Sequence, residues 1–268
     1  MELRLARFSW HLKRKPDLDR IEEVCETYHD LIEARKAGGT SFVSFVLSRH
    51  ASIRQMVVFL RALPRIDVTV RASGAGSEIA NHLSVRHGGR YVNRRAVGVL
   101  SLPDQPDEYL RGRKRQAVRT NLHRAEELGL AFRELSDPAT KRAELASILS
   151  ARREEFWDVA ELVRGVDRAS SRVFVAEDRT GAIQALATVV VDVQWAHMYL
   201  CVSLPGDAAF AALYLLNVGV VQQLAAERVR HLFVRSALHL SPGQRYLQAR
   251  LGFELMNLRM TRRFFRGR

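Results

Sequence analysis

Along this chain the spacing of apolar residues switches repeatedly between the three-to-four-residue period of a helix and the two-residue period of a strand. Pro16 and Asp17 open a helix through IEEVCETYHDLIEARKA, which Gly38 and Gly39 close in the C-cap role. SFVSFVL (41–47) reads as a strand. HASIRQMVVFLRAL then places Ile53, Met56, Val57 and Leu60 on one helical face, and IDVTVRA (66–72) alternates as a strand does. SGAGSEIANHLSVRHGG is a helix bounded by glycines, and RAVGVLSLP (95–103) is another strand. The strongest interior break runs from Pro103-Asp104 to Pro106-Asp107, dividing the chain into segments 1–103 and 104–268.

The second segment opens with one long helix, DEYLRGRKRQAVRTNLHRAEELG, stopped by Gly129. LAFREL (130–135) is a strand, and Asp137-Pro138 caps a helix reaching about Trp157. RVFVAED (172–178) and AIQALATVVVD (182–192) form a hairpin across Arg179-Thr180-Gly181, and WAHMYLCVS (195–203) continues the meander. After the loop LPGD come a helix over about 208–228, the strand HLFVRSA, a short helix after Ser241-Pro242-Gly243, and a terminal strand pair around 253–265. The fold class is therefore α/β with a mixed sheet, in which an antiparallel meander feeds a strand–helix–strand unit.

Composition narrows the function classes. The chain has 268 residues, 47% hydrophobic and 26% charged, enough for a proper core and unlike a disordered or collagenous chain. No apolar run reaches the ~18 residues of a membrane span; the longest, Ala208 to Val221, carries Asn217. The N-terminus has no apolar signal core, and Cys25 and Cys201 alone make neither a disulfide framework nor a zinc site, so a reduced, cytoplasmic protein without a metal is expected. Forty-two Lys and Arg against 29 Asp and Glu leave a net charge of +13. That surplus points to a polyanionic partner: RNA, a phosphate-rich cofactor or an anionic membrane surface.

Three stretches carry a resemblance to a known family: RKRQAVRTNLHRAEELGLAFREL, YLCVSLPGDAAFAALYLLNVGVVQQLAAERVRHLFV and SPGQRYLQARLGFE, the last ending in Leu-Gly-Phe. From about residue 104 to 265 the order of elements resembles the GNAT acyltransferase superfamily, and within it the Fem-type branch. The resemblance implies a GNAT-like half over 104–268, and Fem-type pairing of two such halves would make 1–103 a second, degenerate copy or an accessory half. It also implies transfer of an acyl group to an amine, in a groove where the strands ending near Ser203 and Ser236 part. The superfamily's pyrophosphate loop reads Gln/Arg-x-x-Gly-x-Gly/Ala; here Ser203-Leu204-Pro205-Gly206-Asp207-Ala208 keeps Gly206 and Ala208 but lacks the leading Gln/Arg. Such loops aim backbone N–H groups at phosphate, which suits Ser203, Gly206 and Ala208. Pro205 has no N–H to give. Asp207 either caps the helix beginning near Ala208 or sets a negative charge where phosphates would sit. The general-acid tyrosine of many family members is replaced by Gln248; Tyr246, two residues earlier and roughly on the opposite face, reads better as a packed core ring.

Other candidates come from spacing. Arg111, Arg115 and Arg119 fall at i, i+4 and i+8, widened by Arg113, Lys114, His123 and Arg124, with no acid from Leu110 to Ala125. On one helix they would form a stripe whose mutual repulsion an anion relieves. The tail RMTRRFFRGR interleaves arginines with Phe264 and Phe265, a pattern that suits a nucleic-acid backbone or simply finishes the core. Ser236 and His239, after HLFVRSA, are the candidate catalytic pair for orienting the amine or relaying its proton. Glu154, Glu155, Asp158 and Glu161, around Phe156 and Trp157, could hold a cationic acceptor, though a solvated helix face explains them better. The altered loop and the +13 charge favour an aminoacyl-tRNA as donor, with no tightly bound cofactor. Acyl-CoA is the alternative donor, and a degenerate domain that only binds RNA or protein is a third reading.

Overall fold

A computed structural model describes residues 18–87, 90–93, 96–152 and 170–263. The chain divides into two compact units, residues 1–59 and 60–268. The first contains α1 (Leu18–Ala37), α2 (Gly39–Ser48) and most of α3 (His50–Ala62). Ile21, Val24, Cys25, Met56 and Phe59 are its buried residues, and the Arg20 guanidinium lies 5.8 Å from the Phe59 ring. SFVSFVL, expected as a strand, is helical in α2. An unbroken apolar run has no period to choose between the two structures, and here α2 packs against α1. Gly38, at φ 69°, makes the left-handed break between them.

In the second unit, β1 (Arg65–Arg71), β4 (Val97–Ser101), β5 (Ala131–Leu135), β6 (Ser171–Glu177), β7 (Ile183–Asp192), β8 (Trp195–Ser203), β9 (His231–Ser236) and β10 (Glu254–Arg263) build one eight-stranded sheet. Its order is β1-β10-β4-β9-β8-β7-β6-β5. A separate two-stranded sheet joins β2 (Ser84–His87) to β3 (Arg90–Asn93). The break expected at 103/104 lies inside this unit, because β4 from the first segment pairs with β9 and β10 from the second. The C-terminal strand pair is instead the single strand β10, parallel to β1 on one edge and antiparallel to β4 on the other. Buried Asn257 fastens that corner: its Nδ2 donates to Leu60 O at 2.5 Å, and its Oδ1 accepts from Ala96 N at 3.4 Å.

Two helical layers cover the sheet. On one face, α5 (Gln116–Glu127), α7 (Ala209–Ala226) and α8 (Pro242–Leu251) pack over Phe174, Ala176, Ala185, Ala187, Ala196, Met198 and Val234. The small strand residues let α7 lie close, and Gly219 of α7 rests on the Phe132 ring so tightly that a Cβ there would collide with it. By length and composition α7 could cross a membrane, but most of it is buried in this fold. On the opposite face, α4 (Gly74–His82) and α6 (Pro138–Arg152) cover Val173, Val175, Leu186, Val190, Tyr199, Leu200 and Phe233. Arg71 at the end of β1 pairs through its side chain and its backbone N–H with the buried Asp192 carboxylate at the end of β7. A Cβ on Gly76 would strike both the Arg71 backbone and that carboxylate, so glycine lets α4 sit on the clamp.

Candidate active site

The parallel pair β8 and β9 sits mid-sheet and is joined over only three positions, Trp195↔His231, Ala196↔Leu232 and His197↔Phe233. The joined end is closed by aromatic stacking: the Trp195 ring lies 4.9 Å from His231 and 5.6 Å from Phe233, within 18° and 17° of parallel. Beyond His197 and Phe233 no register pair links the strands, although β8 runs to Ser203 and β9 to Ser236. The cause is local. Thr188 pairs with Leu200 and Val189 with Met198, so Tyr199 is an extra residue in β8. A bulge of this kind raises the local twist and bends its strand. It also puts Tyr199 and Leu200 on the same face of the sheet. From Met198 to Ser203 the β8 edge toward β9 carries no register pair.

A strip of nearly inaccessible polar side chains crosses the α4 face, from Asp192 opposite Trp195, through Ser171 and His197 on either side of Val190, to Thr188 opposite Leu200, where the opening begins. His82, the last residue of α4, completes a ring cluster with β8. Its centroid is 4.9 Å from Tyr199 and 5.5 Å from His197, and His197 and Tyr199 are 6.3 Å apart. The Tyr199 hydroxyl donates to Ser171 Oγ at 3.4 Å. The two imidazoles and the phenol thus stand ring against ring. Sequence reasoning missed this cluster. The available signal was His and Tyr at i and i+2 in the otherwise apolar WAHMYLCVS, but its partner His82 lies far away in sequence.

The loop leaving β8 reaches the N-terminus of α7. Leu204 N donates to Gln184 O at 2.8 Å, Gly206 takes φ 148°, and Ala208 is the N-cap residue without any side-chain cap. Of the two readings of Asp207, helix capping is not observed, which leaves a carboxylate beside the loop. The Asp207 backbone carbonyl accepts from Arg124 Nη2 at 3.5 Å, which brings a guanidinium from α5 to the helix start. Ser203 is buried, whereas Gly206 is exposed with open space where a Cβ would stand.

The expected arginine stripe is broken. Residues 107–129 are two short 3-10 helices, Pro106–Leu110 and Arg113–Arg115, followed by α5, because Gly112 at φ 87° interrupts the helix. Arg111 lies in the extended link. Arg115 is wedged structurally: its guanidinium is 4.5 Å from the Tyr109 ring and fills the place a Cβ on Gly252 would take. Tyr109 is buried and donates to Leu251 O at 2.8 Å, and burial pushes its phenol up to about 12 against the opposing charge of Arg115. Arg119 Nη1 donates to Leu110 O and Gly112 O at 2.7 and 2.9 Å, holding the broken helix together. Of these cations Arg124 reaches the α7 loop, and Arg111, Arg115 and Arg119 do not form one face.

Ser236 is buried at the end of β9, where its Oγ accepts from Leu238 N at 3.3 Å; His239 follows one short turn later and is exposed. Tyr246 is not the packed core ring expected: it is 50% exposed, under the Arg250 guanidinium at 4.9 Å. Cys201 is half-buried and accepts from Asn217 Nδ2 at 3.5 Å. Glu154, Glu155, Asp158, Glu161, Phe264 and Phe265 lie outside the described residues. Among the described residues no three His, Cys, Asp or Glu side chains gather as a metal site.

No family model matches the sequence, and none of the curated proteins does. Among solved structures the chain is similar to L-PGS from Bacillus licheniformis, with 14% identity and a TM-score of 0.47 over 60% of this chain and 57% of that one. It is similar to a conserved protein of unknown function from Bacteroides thetaiotaomicron VPI-5482, with 13% identity and a TM-score of 0.46 over 60% and 58%. A third is FemX, with 12% identity and a TM-score of 0.45 over 60% and 59%. In each case the chain matches less than two thirds of the other protein's length.

Proposed function

We propose that the chain is an N-acyltransferase whose donor enters the opening between β8 and β9. The observation that carries this reading is the loss of pairing after His197 and Phe233, at the Tyr199 bulge. An acyl chain laid between the strands would set its carbonyl against the β8 edge that faces β9. The acceptor amine attacks that carbonyl carbon, a C–N bond forms, and the oxyanion takes hydrogen bonds from backbone N–H groups. The ammonium proton passes to the His197–His82–Tyr199 cluster. The C–S bond of a thioester donor then breaks, and its thiolate leaves and takes up a proton. The ring cluster thereby joins buried Ser236 and exposed His239 as a candidate for accepting that proton.

For the donor, acyl-CoA fits the geometry better than the aminoacyl-tRNA expected from sequence. The first turn of α7 has no side-chain cap, Gly206 leaves open space, and Arg124 supplies the cation that the loop's own sequence lacks. Aminoacyl-tRNA remains the second reading, favoured by the net charge of +13. Thermal-shift measurements with coenzyme A, acetyl-CoA and bulk tRNA, at low and moderate salt, separate them. Acyl-CoA use predicts stabilisation by both CoA compounds through mass action. A salt-sensitive shift with tRNA and none with CoA would reverse the choice of donor. Binding without turnover of any amine would leave only a binding module.

A further inference from the structure

The first unit carries a surface that acyl transfer does not use. α2 has no charged residue. Its Phe42, Phe45 and Val46 are half-buried, but Val43 and Leu47, one turn apart on the same side, are 58% and 70% exposed. On α3, Val58 is 53% exposed, and exposed Arg54 and Arg61 stand one turn to either side of it. From Arg35 to Arg61 the sequence holds Arg35, Lys36, Arg49, Arg54 and Arg61 and no Asp or Glu. Lys36 is paired with Glu33 of α1, and along α2 and α3 the exposed aliphatic groups are accompanied by Arg49, Arg54 and Arg61.

We propose that this α2–α3 face docks the protein on an anionic lipid surface. Aliphatic side chains that face water on a short helix gain by entering the acyl boundary of a bilayer, while neighbouring Arg and Lys groups reach lipid phosphates. The other occupants fit less well. A nucleic acid would use the cations but leave the aliphatic side chains of Val43, Leu47 and Val58 facing water. In a second copy related by a two-fold axis, Arg49, Arg54 and Arg61 would bring like charges to the interface.

The test is sedimentation of the full-length protein with vesicles of phosphatidylcholine alone or mixed equally with phosphatidylglycerol. The expected result is binding to the anionic vesicles that is at least about tenfold stronger than to the neutral ones and weakens with added salt. Val43→Asp with Leu47→Asp, and separately Arg49→Glu with Arg54→Glu, should each reduce it about tenfold or more with an unchanged melting temperature. Should the aspartate pair unfold the protein, Val43→Ser with Leu47→Ser makes the same test on an exposed face. Equal binding to both vesicle types, or anionic binding that the α2 variants leave intact, overturns the proposal. So does a concentration-dependent dimer that the α2 variants dissolve while vesicle binding is absent. None of these outcomes depends on the acyltransferase reading.

Discussion

The two ends of the β8–β9 pair share strands and sheet but are built for different ends. At the closed end Trp195, His231 and Phe233 stack nearly parallel, and the register is regular. At the open end a single extra residue, Tyr199, parts the strands, and buried Thr188 lies opposite Leu200 beside it. Burying His197, Thr188 and Ser171 where Val or Leu would pack sacrifices hydrophobic stabilisation. The contrast assigns stability to the stacked end and chemistry to the parted one.

The largest expected effect tests the closed end. Trp195→Ala should destabilise the protein by about 3–5 kcal/mol in chemical denaturation, with turnover per folded molecule little changed. Nearly as large, beside the opening, His197→Gln should lower kcat by about 100-fold or more while melting within a few degrees of the wild type. If Trp195→Ala removes turnover from folded protein, or His197→Gln merely lowers stability, the division between the two ends fails. Smaller again, Arg124→Ala should weaken binding of a phosphate-bearing donor about tenfold and reduce the sensitivity of that binding to salt, as read by calorimetric titration.

The smallest effect is a pH dependence. Burial, with Arg230 nearby, holds the His231 imidazole below its ordinary 6.5. The unfolded chain therefore takes up that proton more readily. The stability associated with neutral His231 is complete above pH 6.5 and declines as pH falls toward and through the depressed value. His231→Phe should keep the stack and remove this part of the decline between pH 7 and 5, measured by denaturation at each pH.

Much of the sheet was legible in the sequence because strands buried on both faces are apolar runs of strand length. β7 and β8 follow AIQALATVVVD and WAHMYLCVS nearly residue for residue. The capping box of Ser241 and Gln244 likewise sets the start of α8. What was not legible depended on contacts between distant segments. SFVSFVL becomes a helix by packing on α1, and β4 joins β9 although most of the second segment lies between them. For the site, the parting of the strands that end near Ser203 and Ser236 was expected from a resemblance, but the bulge beside it, and its start after His197 and Phe233, show only in the register. Arg115 and Arg119 looked like a ligand stripe because spacing cannot tell that Gly112 breaks the helix and turns both toward backbone and ring partners. The pairing of His82 with His197 and Tyr199 had no local signal at all.

The most direct measurement is amide hydrogen exchange with and without saturating coenzyme A. Occupation of the opening predicts new protection confined to β8 from Met198 to Ser203 and the first turn of α7, with the already paired Trp195–His197 segment unchanged. Coenzyme A binding that leaves those amides exchanging as before, or protects a different part of the sheet, would contradict the assignment of the β8–β9 opening as the donor site.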